Sequence, residues 1–107
     1  MLAPELVIKI ETLISQYRVM IFMKGTPEKP ACGFSANVAA ILIESGIYFE
    51  SFDVYSNEEI RQGIKEYSSW PTFPQLYIDG ELVGGVDIIS EMYEGGELEK
   101  LKKEKDL

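Results

Sequence analysis

Apolar positions along the chain alternate between helical and strand-like spacing. Leu6, Val7, Ile10, Leu13 and Ile14 fall on one helical face, and Pro4 near the start suits a first turn. Val19-Met-Ile-Phe-Met23 is a short continuous apolar run and predicts a buried strand. A Pro/Gly loop follows from Gly25 to Pro30. Phe34 to Ser45 predicts a helix with Val38, Ile41 and Leu42 facing inward, and Gly46 stops it. Tyr48 to Val54 alternates loosely and predicts a second strand. Ser56-Asn-Glu-Glu59 has the form of a capping box and opens a helix through Tyr67. Trp70-Pro-Thr-Phe-Pro74 then rules out regular structure. Gln75 to Ile78 and Leu82 to Gly84 predict strands joined by a hairpin turn at Asp79-Gly80. Gly84-Gly85 breaks the chain, and Asp87 can cap a helix running to Glu94. Gly95-Gly96 separates that helix from a last, highly charged one.

The expected order is therefore α-β-α-β-α-β-β-α-α. A strand–helix–strand unit implies a parallel pair with a right-handed crossover, and the hairpin adds an antiparallel pair. The expected class is α/β: a mixed four-stranded sheet flanked by helices on both faces. No repeat or linker interrupts the pattern, so residues 1–107 are expected to form one domain. The loop after the first strand lies where such sheets bind ligands.

Composition narrows the function. The net charge of −8 argues against nucleic acid as the main partner. Lys9, Arg18, Lys24, Lys29, Arg61 and Lys65 are the cations that could meet a small anion; Lys100, Lys102, Lys103 and Lys105 cluster near the C-terminus and are expected to be solvated. No stretch is apolar and long enough to span a bilayer, so no membrane association is expected. No targeting segment is visible, although a processed chain or an excised domain would look the same. With no histidine, the Cys–His dyad, the histidine general base and every His-ligated metal site are removed.

One cysteine remains, Cys32, between the first strand and the following helix. Backbone N–H groups and the helix dipole favour a thiolate there. A single cysteine cannot close an internal disulfide or hold a cluster alone, so its chemistry needs sulfur from outside the chain. It also favours a reducing compartment such as the cytoplasm. Ser35 stands where a C-x-x-C motif has its second thiol. A hydroxyl cannot resolve a mixed disulfide, so Ser35 is expected to serve in local hydrogen bonding or capping.

Cys32-Gly-Phe-Ser35, Lys24-Gly-Thr-Pro27, Trp70-Pro-Thr-Phe-Pro74 and Gly84-Gly-Val-Asp87 together resemble the monothiol glutaredoxins of C-G-F-S type. The four motifs come in the family's order and spacing and cover nearly the whole chain. Glu58 to Lys65, Pro74-Gln-Leu-Tyr77 and Val86 look closer to the glutaredoxin domains of cytosolic multidomain members. The resemblance implies a thioredoxin-like fold, glutathione binding and a 2Fe–2S cluster shared between two subunits. It implies a cluster-bridged homodimer, a BolA-like partner and apo iron–sulfur proteins as acceptors. It implies a cytoplasmic place, with the nucleus or, after loss of a transit peptide, an organelle as variants. Glutathione-dependent deglutathionylation through one thiol is the alternative activity.

The same resemblance suggests roles for individual residues. Cys32 is the nucleophile and cluster ligand. Lys24 is a point charge near thiolate or ligand carboxylate. Arg61 and Lys65 share a helical face and could hold the glycine carboxylate of glutathione, although pairing with Glu58 is the simpler reading of their spacing. Thr72, Phe73 and Pro74, the last expected after a cis peptide bond, present extended backbone to the cysteinyl part. Gly85, Val86 and Asp87 lie at a helix start that suits the γ-glutamyl carboxylate, with Asp87 on the γ-glutamyl ammonium. Trp70 is expected to pack rather than to touch a ligand.

Overall fold

The computed structural model describes residues 1–107 and contains nine main elements. They are α1 (Pro4–Ser15), β1 (Val19–Met23), α2 (Gly33–Glu44), β2 (Glu50–Asp53), α3 (Glu58–Ser68), β3 (Gln75–Ile78), β4 (Glu81–Gly84), α4 (Val86–Glu94) and α5 (Glu97–Lys105). A short 3-10 turn, Val54–Ser56, links β2 to α3. The sheet order is β2-β1-β3-β4. β1 runs parallel to β2 and antiparallel to β3, and β3 runs antiparallel to β4. The expected order and mixed pairing are both present.

β1 is buried along its whole length. Its side chains alternate between two cores, as strand geometry requires. Val19, Ile21 and Met23 pack with Val38, Ala39, Ile41 and Leu42 of α2, Ile89 of α4 and Leu98 of α5. Met20 and Phe22 pack with Ile10 and Ile14 of α1, Ile60 and Ile64 of α3, and Phe73 and Tyr77. Each fully buried aliphatic or aromatic side chain contributes roughly 1.5–3 kcal/mol. Phe22 meets Tyr77 edge-on, with centroids 5.5 Å apart. The β3–β4 hairpin turns at Asp79-Gly80, both with positive φ (50° and 82°), as an Asp-Gly turn demands.

Four local expectations are corrected. The cap of α3 is Asn57, whose side chain accepts from the Ile60 N–H; Ser56 belongs to the preceding 3-10 turn. Asp87 is not a cap either: α4 begins one residue earlier, Gly85 is its N-cap, and no side chain makes a capping bond. β2 is only Glu50–Asp53, because Val54 turns into the 3-10 segment. Among the C-terminal lysines, Lys102 is half-buried, while Lys100, Lys103 and Lys105 are exposed as expected. The exposed Lys105 Nζ lies 3.4 Å from Asp79, which also pairs with Arg18 at 3.0 Å. Arg18 donates further bonds to the Lys105 and Asp106 carbonyls, which anchors the end of α5.

Tyr77 carries a pH consequence. The residue is 3% exposed, and burial pushes the phenol up to about 12. An unfolded tyrosine ionises near 10. The neutral phenol therefore stabilises the fold fully below pH ~10, and that stabilisation is lost as pH rises through ~12. Denaturant titrations of the parent and Tyr77→Phe should show the parent's advantage at pH 8 shrinking between pH 10 and 12. An advantage that stays constant over that range is the contrary result.

Candidate functional site

The site begins where β1 ends. Lys24 and Gly25 present consecutive backbone N–H groups to two different elements. The Lys24 N–H donates to Ser35 Oγ of α2 at 3.1 Å, and the Gly25 N–H donates to Asp53 Oδ1 at the end of β2 at 3.0 Å. The loop folds back on itself through a bridge between Gly25 and Pro30, and the Ala31 N–H donates to the Lys24 carbonyl at 2.8 Å. Gly25 has φ +85°, and a Cβ there would sit 2.6 Å from both Ala31 N and Lys29 O. Only glycine fits this tight return.

That loop delivers Cys32 as the N-cap of α2. Cys32 is half-buried, while Ala31, Gly33 and Phe34 around it are exposed. The Ser35 N–H donates to Sγ at 3.4 Å, and Ser35 Oγ lies 3.3 Å from it. Because Ser35 Oγ already accepts from the Lys24 N–H, its own proton is free for a thiolate. Partial burial pushes the thiol up. The Ser35 hydroxyl, the Ser35 and Phe34 N–H groups and the Lys24 charge pull it down, and their combined effect leaves the thiol below its ordinary value. Ser35 is fully buried and has the local hydrogen-bonding role expected of it.

Next to this thiol lies a cleft of about 370 Å³. Lys24, Arg61, Lys65, Thr72, Phe73, Pro74, Val86 and Asp87 line it together, drawn from the residue after β1, from α3, from the loop before β3 and from the start of α4. Phe34 and Pro71 line it too. Neither was singled out from the sequence. For Phe34 the available signal was a large apolar side chain directly after Cys32-Gly33. Gly85 stands just behind, 3.3 Å from the Pro74 carbonyl and 3.2 Å from Trp70 Nε1 as measured from an added Cβ. Trp70 is half-buried and does not line the cleft, as expected for a packing residue.

Several polar groups around this region have no partner within the chain. Arg61 donates from Nη1 to both oxygens of Glu58, at 3.1 and 3.2 Å, and lies over the Tyr55 ring at 5.7 Å. The pairing with Glu58 read from spacing is therefore real, yet Arg61 Nε is buried with no acceptor. Glu58 is held below the usual carboxylate range first by the Gln62 amide and then by Arg61. The first N–H groups of α4 have no side-chain cap. Phe73 N–H makes no hydrogen bond, and the Phe73–Pro74 bond is cis, as expected.

A thioredoxin-like sheet with one thiolate-poised cysteine at the start of α2 defines a monothiol redox-fold protein. The glutaredoxin family model matches residues 19–83, and the chain belongs to that family. It is 55% identical over 98 residues to a monothiol glutaredoxin of Synechocystis sp., covering 92% of each. It is 50% identical over 96 residues to Glutaredoxin-3 of Homo sapiens, of which it spans 29%. The solution structure of a reduced apo glutaredoxin from poplar superposes with TM-score 0.77 at 52% identity, covering 92% of this chain and 91% of that one. No helix is long and apolar enough to cross a membrane.

The Ser35 relay predicts a direct effect on the thiol. Ser35→Ala removes the hydroxyl that favours the thiolate, so the Cys32 pKa should rise and alkylation at neutral pH should slow. Thiolate absorbance and iodoacetamide rates against pH read this. Ser35→Thr keeps the hydroxyl and should stay near the parent. An unchanged titration in Ser35→Ala would mean that the backbone donors and Lys24 suffice.

Proposed function

We propose that the cleft binds glutathione and that Cys32, together with glutathione thiolates, holds a 2Fe–2S cluster between two copies of the chain for storage and transfer to apo acceptor proteins. The observation that carries this is a single poised thiol beside a cleft lined by the cations Lys24, Arg61 and Lys65 and by the acid Asp87. Those charges suit a tripeptide with a carboxylate at one end and an ammonium carboxylate at the other. Arg61 and Lys65, both in the lining, take the glycine carboxylate. The free Phe73 N–H pairs with the cysteinyl backbone, and the uncapped start of α4 takes the γ-glutamyl carboxylate, with Asp87 on its ammonium.

The donor set fits a shared cluster. No three His, Cys, Asp or Glu side chains come together as a metal site, so Cys32 is the one sulfur ligand a chain supplies. A 2Fe–2S cluster uses about four ligands, mostly thiolates, and two chains with two glutathiones supply that number. Such a cluster is cargo, and ligands that exchange make it transferable. This reading calls for a reducing compartment, the cytoplasm among them. A BolA-like protein could take the place of one copy.

A second reading draws on the lowered thiol. The Cys32 thiolate attacks the glutathione sulfur of a protein mixed disulfide, and the protein thiolate leaves. A second glutathione thiolate then attacks the Cys32 disulfide and releases glutathione disulfide. Ser35 cannot perform that last step, so turnover depends on free glutathione.

Anaerobic reconstitution with iron, sulfide and glutathione should give a dimer with about one cluster and about two glutathiones, and Cys32→Ser should stay folded and colourless. A cluster-loaded monomer, or a cluster formed without added thiol, would rule out the shared arrangement.

Asp87 gives a cleaner test than its expected capping role allowed, because it makes no capping bond. Asp87→Asn should weaken glutathione binding about tenfold or somewhat more, with a melting temperature near the parent's. Calorimetry and thermal melts measure both, and parental affinity in the variant would remove Asp87 from the ligand site.

A further inference from the structure

Gln75 is a polar residue with 0% exposure at the first position of β3. Burying an amide in a hydrophobic setting is unfavourable unless every donor and acceptor is used. Here they are. Oε1 accepts from the Tyr77 hydroxyl at 3.0 Å. Nε2 donates to the Trp70 carbonyl at 2.9 Å and to the Thr72 carbonyl at 3.2 Å. The Trp70 and Thr72 carbonyls fix which end of the amide faces the loop, since they can only accept and so require Nε2, and the Tyr77 hydroxyl then donates to Oε1. Ser68 Oγ accepts from the Trp70 N–H at 3.1 Å and steadies the same segment.

The consequence lies on the opposite side of one peptide plane. Phe73–Pro74 is the only cis bond, so Thr72–Phe73 is trans. In a trans peptide the carbonyl and the next N–H point in opposite directions. The Thr72 carbonyl is held inward by Gln75, so the Phe73 N–H is turned outward, away from Gln75. It has no partner within the chain, and Thr72 and Phe73 both line the cleft. We propose that Gln75 is a positioning residue: by holding the Thr72 carbonyl inward it presents the Phe73 N–H to a peptide ligand's carbonyl in the cleft. Gln75 touches no ligand itself. The proposal rests on the cleft binding a peptide such as glutathione.

The test compares two variants of one buried network. Gln75→Met keeps length and burial but removes both donors to the loop. Tyr77→Phe removes the bond to Oε1 and leaves Nε2 in place. Both lose a buried hydrogen bond, so both should melt lower. Only Gln75→Met should lose glutathione affinity, by about tenfold, while Tyr77→Phe stays within about twofold. In ¹H–¹⁵N spectra the Phe73 amide should move on adding glutathione in the parent and in Tyr77→Phe, but not in Gln75→Met. Parental affinity in Gln75→Met, or the same Phe73 shift, overturns the proposal. Should Gln75→Met fail to fold, the parent still decides. Its Gln75 side-chain protons should exchange slowly and its Phe73 amide fast, with glutathione slowing the latter. A Phe73 amide already protected in the free protein is the contrary result. A parent that binds no glutathione overturns the reading of the cleft itself, before Gln75 is reached.

Discussion

β1 is a five-residue strand buried along its whole length, and the placement of the loop that carries Cys32 follows from that constraint. Its odd positions enter one core with α2, α4 and α5, and its even positions enter the other with α1 and α3. Such a strand cannot slip by one residue without exchanging the two sets of side chains. Lys24 is therefore held where the strand emerges, and its N–H is committed to Ser35 while the next is committed to Asp53. The helix on one side and the parallel strand on the other are tied to the same two peptide groups. Cys32 gains its setting from this knot, because the loop between Gly25 and Pro30 has little freedom once both ends are fixed.

Charge is distributed against the overall balance of the chain. The molecule carries a net −8, yet its cleft gathers Lys24, Arg61 and Lys65. The acids near them act locally: Glu58 engages one terminal nitrogen of Arg61 and leaves Nε without an acceptor. A cationic cleft in an acidic protein favours small anions and disfavours polyanions, which the surrounding surface repels. The thiol is tuned in the same economical manner. Several modest donors together outweigh the penalty of burial.

Much of this was legible in the sequence. The apolar run Val19 to Met23, the Asp79-Gly80 turn and the helical faces of α1 and α2 identified their elements, because the hydrophobic period and turn chemistry are local properties. The motifs around Cys32, Trp70 to Pro74 and Gly84 to Asp87 pointed to residues that do gather around one cleft, although Cys32 and Gly85 stand beside its lining rather than in it. Helix starts were less legible. Asn57 and Gly85 became the caps in place of Ser56 and Asp87, since a cap depends on where the incoming backbone turns and not on side-chain type alone.

The sequence by itself determined the order of elements, the single thiol, the missing histidine and the family to which the chain belongs. Those are matters of composition, spacing and local preference, and they need no knowledge of what packs where. Tertiary structure alone decided that Ser35 would stand between the Lys24 N–H and Cys32, that Gln75 would spend its amide on the loop of Trp70 and Thr72, and that Phe34 and Pro71 would join the cleft. Each of these depends on the direction of a particular N–H, carbonyl or side chain after distant segments have packed. A linear pattern records which groups are available, and only the packed chain sets where they point.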